Sequence, residues 1–207
     1  MTARFITLEG IEGAGKSTIA KFVLAWLAQR RIAGRLTREP GGTPLAERLR
    51  QIVLERGPEP LSAVTETLLM FAARDLHLQS VIRPALARGE WVVCDRFTDA
   101  TRAYQGSGRG VDADLIESLA AAVHGGLAPD CTLLLDLPVS VGLARARGRA
   151  GGRTDRFENE TIAFFEKVRA GYLELARREP RRFHVIDAAA PLDEVEARVE
   201  DILEDLA

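Results

Sequence analysis

Eight residues near the start of the chain, Gly10-Ile11-Glu12-Gly13-Ala14-Gly15-Lys16-Ser17, follow the pattern G-x-x-x-x-G-K-[ST]. This motif restricts the fold on both sides of itself. Its glycines let the backbone curl until successive N–H groups point inward at an anion. A helix beginning at its end presents a positive pole to the same anion. A strand must deliver the chain to it. Arg4–Glu9 reads as that strand, and Ile19, Phe22, Val23, Trp26 and Leu27 recur at the spacing of one helix face. The motif predicts a bound nucleoside triphosphate held by residues Gly10 to Ser17. Lys16 reaches the β- and γ-phosphates, and the Ser17 hydroxyl ligates Mg²⁺.

The rest of the chain alternates strands and helices. Arg35–Arg38, Trp91–Asp95, Thr132–Asp136 and His184–Asp187 read as four more strands. Trp91-Val92-Val93-Cys94, Leu133-Leu134-Leu135 and Val185-Ile186 are near-continuous apolar runs, as expected of strands buried on both faces. Helical patterns run from about residue 63 to 87, across Leu115–Val123 with Asp112 as N-cap, from about 158 to 177, and from Leu192 to Leu206. This predicts an α/β fold with a doubly wound parallel sheet. Ligands of such sheets lie beyond the carboxyl ends of the strands. At 207 residues, one domain spanning 1–207 is expected.

Net charge is -2, so no global field draws the chain to nucleic acid or an anionic membrane. No apolar run is long enough to span a bilayer. A cytoplasmic protein with two reduced, buried thiols, Cys94 and Cys131, is expected. His77, His124 and His184 form no evident constellation and read as structural or surface residues.

A second phosphate site is expected at Asp95-Arg96, where a buried strand ends near the loop. Asp95 can organise Mg²⁺ and its waters; Arg96 can bridge donor and acceptor phosphates. The stretch 143–156 holds five arginines among glycines, which suits a lid, at about 145–157, that closes on phosphates. Glu12 places a carboxylate beside a triphosphate, so either it has a second partner, a lid arginine or a sugar hydroxyl, or it is a loop acid that faces solvent.

Phe5–Ser17, Arg38-Glu39-Pro40-Gly41-Gly42-Thr43, Asp95-Arg96-Phe97 and Ala103-Tyr104-Gln105-Gly106 together resemble the bacterial thymidylate kinase family, from about Phe5 to Ile186. The resemblance implies the P-loop kinase fold, a five-stranded parallel sheet with helices on both faces and a lid segment, and a homodimer. It implies that Arg74 reads a thymine carbonyl and that Thr101 and Gln105 complete the hydrogen bonding to the base. Tyr104 packs on deoxyribose, and Arg50 and Arg96 hold the acceptor phosphate. Lys16, Glu12, Asp95, Arg96, Arg149 and Arg153 are the implied catalytic set, with the two last in the lid. Two positions depart from the family: Met70 stands where a phenylalanine is usual, leaving Met70 or Phe71 to meet the base, and Ala100 replaces a serine.

The expected reaction is in-line transfer of the γ-phosphate of ATP to dTMP, giving dTDP and ADP, with Mg²⁺. The acceptor is already an anionic oxygen, so positioning and charge neutralisation suffice. A kinase for another nucleotide or nucleoside is the alternative. A P-loop NTPase switch is a more distant one: the guanine-reading Asn-Lys-x-Asp motif is absent, the one asparagine being Asn159.

Overall fold

The computed structural model describes residues 2–55, 59–149 and 160–207. Strand β1 (Phe5–Glu9) enters the glycine-rich loop and helix α1 (Lys16–Gln29) leaves it. Strand β2 (Gly34–Arg38) and helices α2 (Pro44–Leu54) and α3 (Ala63–His77) follow. Helix α3 passes through a π-helical turn at Leu78–Ile82 into α4 (Arg83–Ala87), so the expected run from 63 to 87 is continuous. Then come β3 (Trp91–Asp95), α5 (Thr98–Thr101) with a π-helical extension over Arg102–Gly108, and α6 (Ala113–His124). Strand β4 (Cys131–Asp136), α7 (Val139–Arg149), α8 (Ile162–Arg178), β5 (Phe183–Asp187) and α9 (Leu192–Leu206) complete the order.

Local chemistry explains several boundaries. Thr43, Ser62, Asp112 and Thr161 each accept a hydrogen bond from a first-turn amide of α2, α3, α6 and α8. Helix α1 differs: its N-cap is Gly15, which offers no side chain, so its first amides are left for an anion.

All five strands are parallel, in the order β2-β3-β1-β4-β5. Successive side chains point to opposite faces. On β3, Trp91 and Val93 join the core formed with Val23, Trp26 and Leu27 of α1, while Val92 and Cys94 meet Leu78 and Ile82. Both faces are therefore covered by helices. The apolar run expected to be buried at β5 is buried on one side: Ile186 is in the core, but Val185 is 49% exposed because β5 is an edge strand. Leu8 pairs with Asp95, and Asp95 pairs with Arg38. This register brings Glu9-Gly10, Asp95-Arg96 and Arg38-Glu39 out at one edge of the sheet. Cys94 and Cys131 are both buried and free.

Candidate active site

Gly10, Gly13 and Gly15 all have positive φ, at 135°, 76° and 93°. A side chain at Gly13 would run into the Gly142 carbonyl of α7, so only glycine fits where loop and helix touch. Lys16 is buried, and its Nζ donates to the carbonyls of Gly10 and Ile11, each at 2.9 Å. Burial, with the Arg96 charge adding to it, lowers its pKa to about 8. Negative charge delivered to the loop would restore its positive form.

Two cavities flank the loop and share Gly13, Ala14 and Gly15 as a wall. One, of about 460 Å³, extends over the ends of β2 and β3 and under α2 and α3. The other, of about 400 Å³, lies between Thr18, Arg145 and the segment Ala188–Leu192. Arg145 is held there by donation from Nη1 to Ala188 O at 2.7 Å.

Most of the residues singled out in the sequence line the larger cavity: Glu12, Lys16, Ser17, Arg50, Met70, Arg74, Asp95, Arg96, Thr101, Tyr104 and Gln105. Phe71 does not; it packs with Val111, Ile116 and Ala120 and lies under the Arg74 guanidinium, 4.7 Å from Cζ. The phenylalanine that does line the cavity is Phe97, 5.2 Å from the same Cζ. Arg149 closes α7, and Arg153, with the rest of the expected lid to 157, lies outside the described residues.

Among the described residues, Glu12 meets Arg96 and Tyr104. Its Oε1 accepts from Arg96 Nη2 at 3.0 Å and its Oε2 from the Tyr104 hydroxyl at 2.7 Å. The loop aims this side chain toward the end of β3, where these two groups converge. Arg96 itself has φ 70°, a left-handed conformation that costs a non-glycine residue on the order of 1 kcal/mol or more. Beneath it Glu9 is fully buried. Its Oε1 accepts from Phe97 N and its Oε2 from the Tyr172 hydroxyl, both at 2.7 Å. Tyr172 O in turn accepts from Arg96 Nη1 at 3.3 Å. Burial pushes the Glu9 pKa up to about 8.

Arg74 is 2% exposed and clamped on three sides. Its Nε donates to Glu39 Oε2 at 2.7 Å, and its Nη2 to Thr101 Oγ1 at 3.1 Å and Phe97 O at 3.2 Å. Glu39 Oε1 lies 2.9 Å from His77 Nδ1, and His77 Nε2 lies 2.6 Å from Thr37 Oγ1. Nη1 of Arg74 is left buried with no partner among the described residues. A buried donor without a partner is costly, and at a cavity wall it marks a place for a ligand acceptor. Gln105 donates from Nε2 to Glu66 Oε1 at 2.6 Å.

Oδ1 of Asp95 is likewise buried with no partner among the described residues. A carboxyl oxygen in that position, lining the same cavity as Ser17, fits a hydrated divalent cation.

Glu9, Glu39, Glu66, His77, Phe97 and Tyr172 were not marked as site residues by the sequence. Glu9, Glu39 and Phe97 sit in segments that carry the family resemblance, which is a signal; Glu66, His77 and Tyr172 are joined to residues far apart in the chain and leave no local pattern.

The thymidylate kinase family model matches residues 8–199. A thymidylate kinase of Pseudomonas syringae pv. syringae is 57% identical over 206 residues, covering 100% of this chain and 97% of the relative. One from Teredinibacter turnerae is 53% identical, covering 99% and 98%. A crystal structure of thymidylate kinase from Ehrlichia chaffeensis superposes with a TM-score of 0.77 at 32% identity, covering 98% of this chain and 99% of that one.

Proposed function

The chain belongs to the thymidylate kinase family of nucleoside monophosphate kinases, and we propose that its two cavities divide the work, the larger holding dTMP and the smaller the adenosine of ATP. The observation that carries this reading is the buried, unpaired Nη1 of Arg74 in the wall of the larger cavity. A pyrimidine O4 is the acceptor it lacks. Met70 and Phe97 line the same cavity and supply apolar contact for the ring. Thr101 and Gln105 complete the base contacts, Tyr104 packs on the deoxyribose, and Arg50 and Arg96 take the acceptor phosphate. Gly10–Ser17 hold the donor triphosphate, with Arg145 beside its base.

Transfer then needs little chemistry from the protein. Lys16 and Arg96 hold donor and acceptor phosphates in line across the loop and neutralise the charge that spreads over the moving group. Asp95 and Ser17 would hold Mg²⁺, which when bound offsets further phosphate charge. Glu12 fixes the direction of Arg96. Arg149 and Arg153 are the candidate lid arginines that would exclude water and add positive charge. We assign the whole of 1–207 to one P-loop kinase domain acting as a cytoplasmic homodimer. No described helix is long and apolar enough to cross a membrane. The dimer reading is supported by Leu45 and Ile52 of α2 and Val64 and Leu68 of α3, all 46–52% exposed.

The test is R74A assayed by ADP release with dTMP and ATP varied separately. The KM for dTMP should rise at least about tenfold, the loss of one or two buried hydrogen bonds, while that for ATP stays within about twofold. An equal change in both, or none, removes the base-reading role.

A further inference from the structure

Arg74 and Gln105 could each present more than one hydrogen-bonding face to a ligand. Neither is free to choose. Nε of Arg74 is committed to Glu39, whose side chain is buried and which is braced from behind by His77. The amide of Gln105 is committed to Glu66, which is 0% exposed. Glu66 Oε1 also accepts from Nε of Arg109, a group that can only donate, so the nitrogen end of the Gln105 amide faces Glu66. The oxygen end is then what remains for a ligand in the cavity that Gln105 lines. The same logic at Arg74 leaves a pure donor, Nη1.

We propose that Glu66 is a specificity-determining positioning residue: by fixing the Gln105 amide it sets a donor beside an acceptor, the complement of a 4-oxo pyrimidine bearing N3–H. This rests on the base-reading role of Arg74 and Gln105. A 4-amino pyrimidine presents the reverse pattern, with a lone pair at N3 and a donor at C4. It meets an acceptor with an acceptor, and a donor with a donor, from two side chains that are themselves buried. Sites that bury a hydrogen-bonding pattern reject the mispaired analogue strongly. Uracil and thymine share N3–H and O4, so the pair does not tell them apart. Glu66 also meets Arg109 (Nε to Oε1, 3.4 Å), which Glu160 holds at 2.7 Å. Oε1 of Glu66 is thus held as an acceptor between two donors.

The experiment measures kcat/KM for dTMP, dUMP and dCMP in the parent, E66Q and the double variant E66Q/Q105E. In E66Q the partner can donate as well as accept, and the Gln105 amide is released to turn. The dTMP-to-dCMP ratio should fall about tenfold or more, the equivalent of one mispaired buried hydrogen bond, with the dTMP-to-dUMP ratio unchanged. E66Q/Q105E keeps the hydrogen bond with its direction reversed and again turns an acceptor to the base, so it should restore the preference over dCMP. A packing role for Glu66 predicts no such restoration. A folded E66Q with an unaltered dTMP-to-dCMP ratio overturns the proposal. If E66Q fails to fold, the double variant carries the test, and a folded double variant that accepts dCMP as well as dTMP overturns it. If R74A raises the KM for dTMP while E66Q leaves selectivity intact, this proposal alone falls. If both are without effect, the base-reading assignment falls with it.

Discussion

A carboxylate enclosed by protein, as Glu9 is, costs free energy whenever it ionises. Burial is the main cause of its pKa of about 8, with the Asp99 charge adding to it and Arg96 opposing it. The unfolded chain would release that proton near 4.5. Between those values the folded chain holds a proton that the unfolded chain has lost. The stability due to neutral Glu9 is thus complete below pH 4.5 and is lost as pH rises through about 8. Glu9→Gln keeps the neutral shape and can keep both partners, the Phe97 amide and the Tyr172 hydroxyl. Relative to E9Q, the parent should lose Tm as pH is raised from about 5 to about 8.5. Parallel Tm curves would mean that Glu9 is already ionised at the lower pH. None of this is legible in the sequence, where Glu9 is the polar end of an apolar strand. Lys16 and Ser17 are legible because their spacing is the motif. Glu9, Glu39 and Glu66 act through residues 35 to 163 positions away, and such distances carry no periodicity to read.

At the scale of elements, the five strands lie within about one residue of where apolar runs and turn residues put them, since parallel strands buried between helices have little freedom in composition. Helix α2 was not anticipated, although Thr43 as cap, Pro44 at the first position, and Leu45, Leu49, Ile52 and Val53 at the spacing of one helix face are ordinary signals. One close approach of two elements was also hidden. Loop and α7 meet glycine to glycine, and a Cβ on Gly142 would sit 2.6 Å from the Glu12 carbonyl. Gly142 is ordinary helix, so alanine there is a purely steric change. We expect G142A to lower stability by about 1–3 kcal/mol, read as a fall in Tm, and to raise the KM for ATP by displacing the loop. A variant with parental Tm and KM would show that the loop yields without loss.

For the molecule as a whole, the open question is what covers the apolar side chains on the outer faces of α2 and α3. Leu45 and Ile52, seven apart, and Val64 and Leu68, four apart, each share one face of their helix. If that surface pairs with a second copy, Ile52→Asp should convert a dimer into a monomer by light scattering, with its far-UV spectrum retained. A parent of monomeric mass would exclude the arrangement. Distance within one chain has a further outcome at Glu12. A single carboxylate grips Arg96 with one oxygen and Tyr104 with the other. On the proposed reading, with Tyr104 against the sugar and Arg96 on the phosphate, an extra ribose hydroxyl that displaced the phenol would also slacken the guanidinium. A wrong sugar would then be penalised in turnover as well as in occupancy, because the side chain proposed to inspect it and the one proposed to align the reaction hang from one carboxylate.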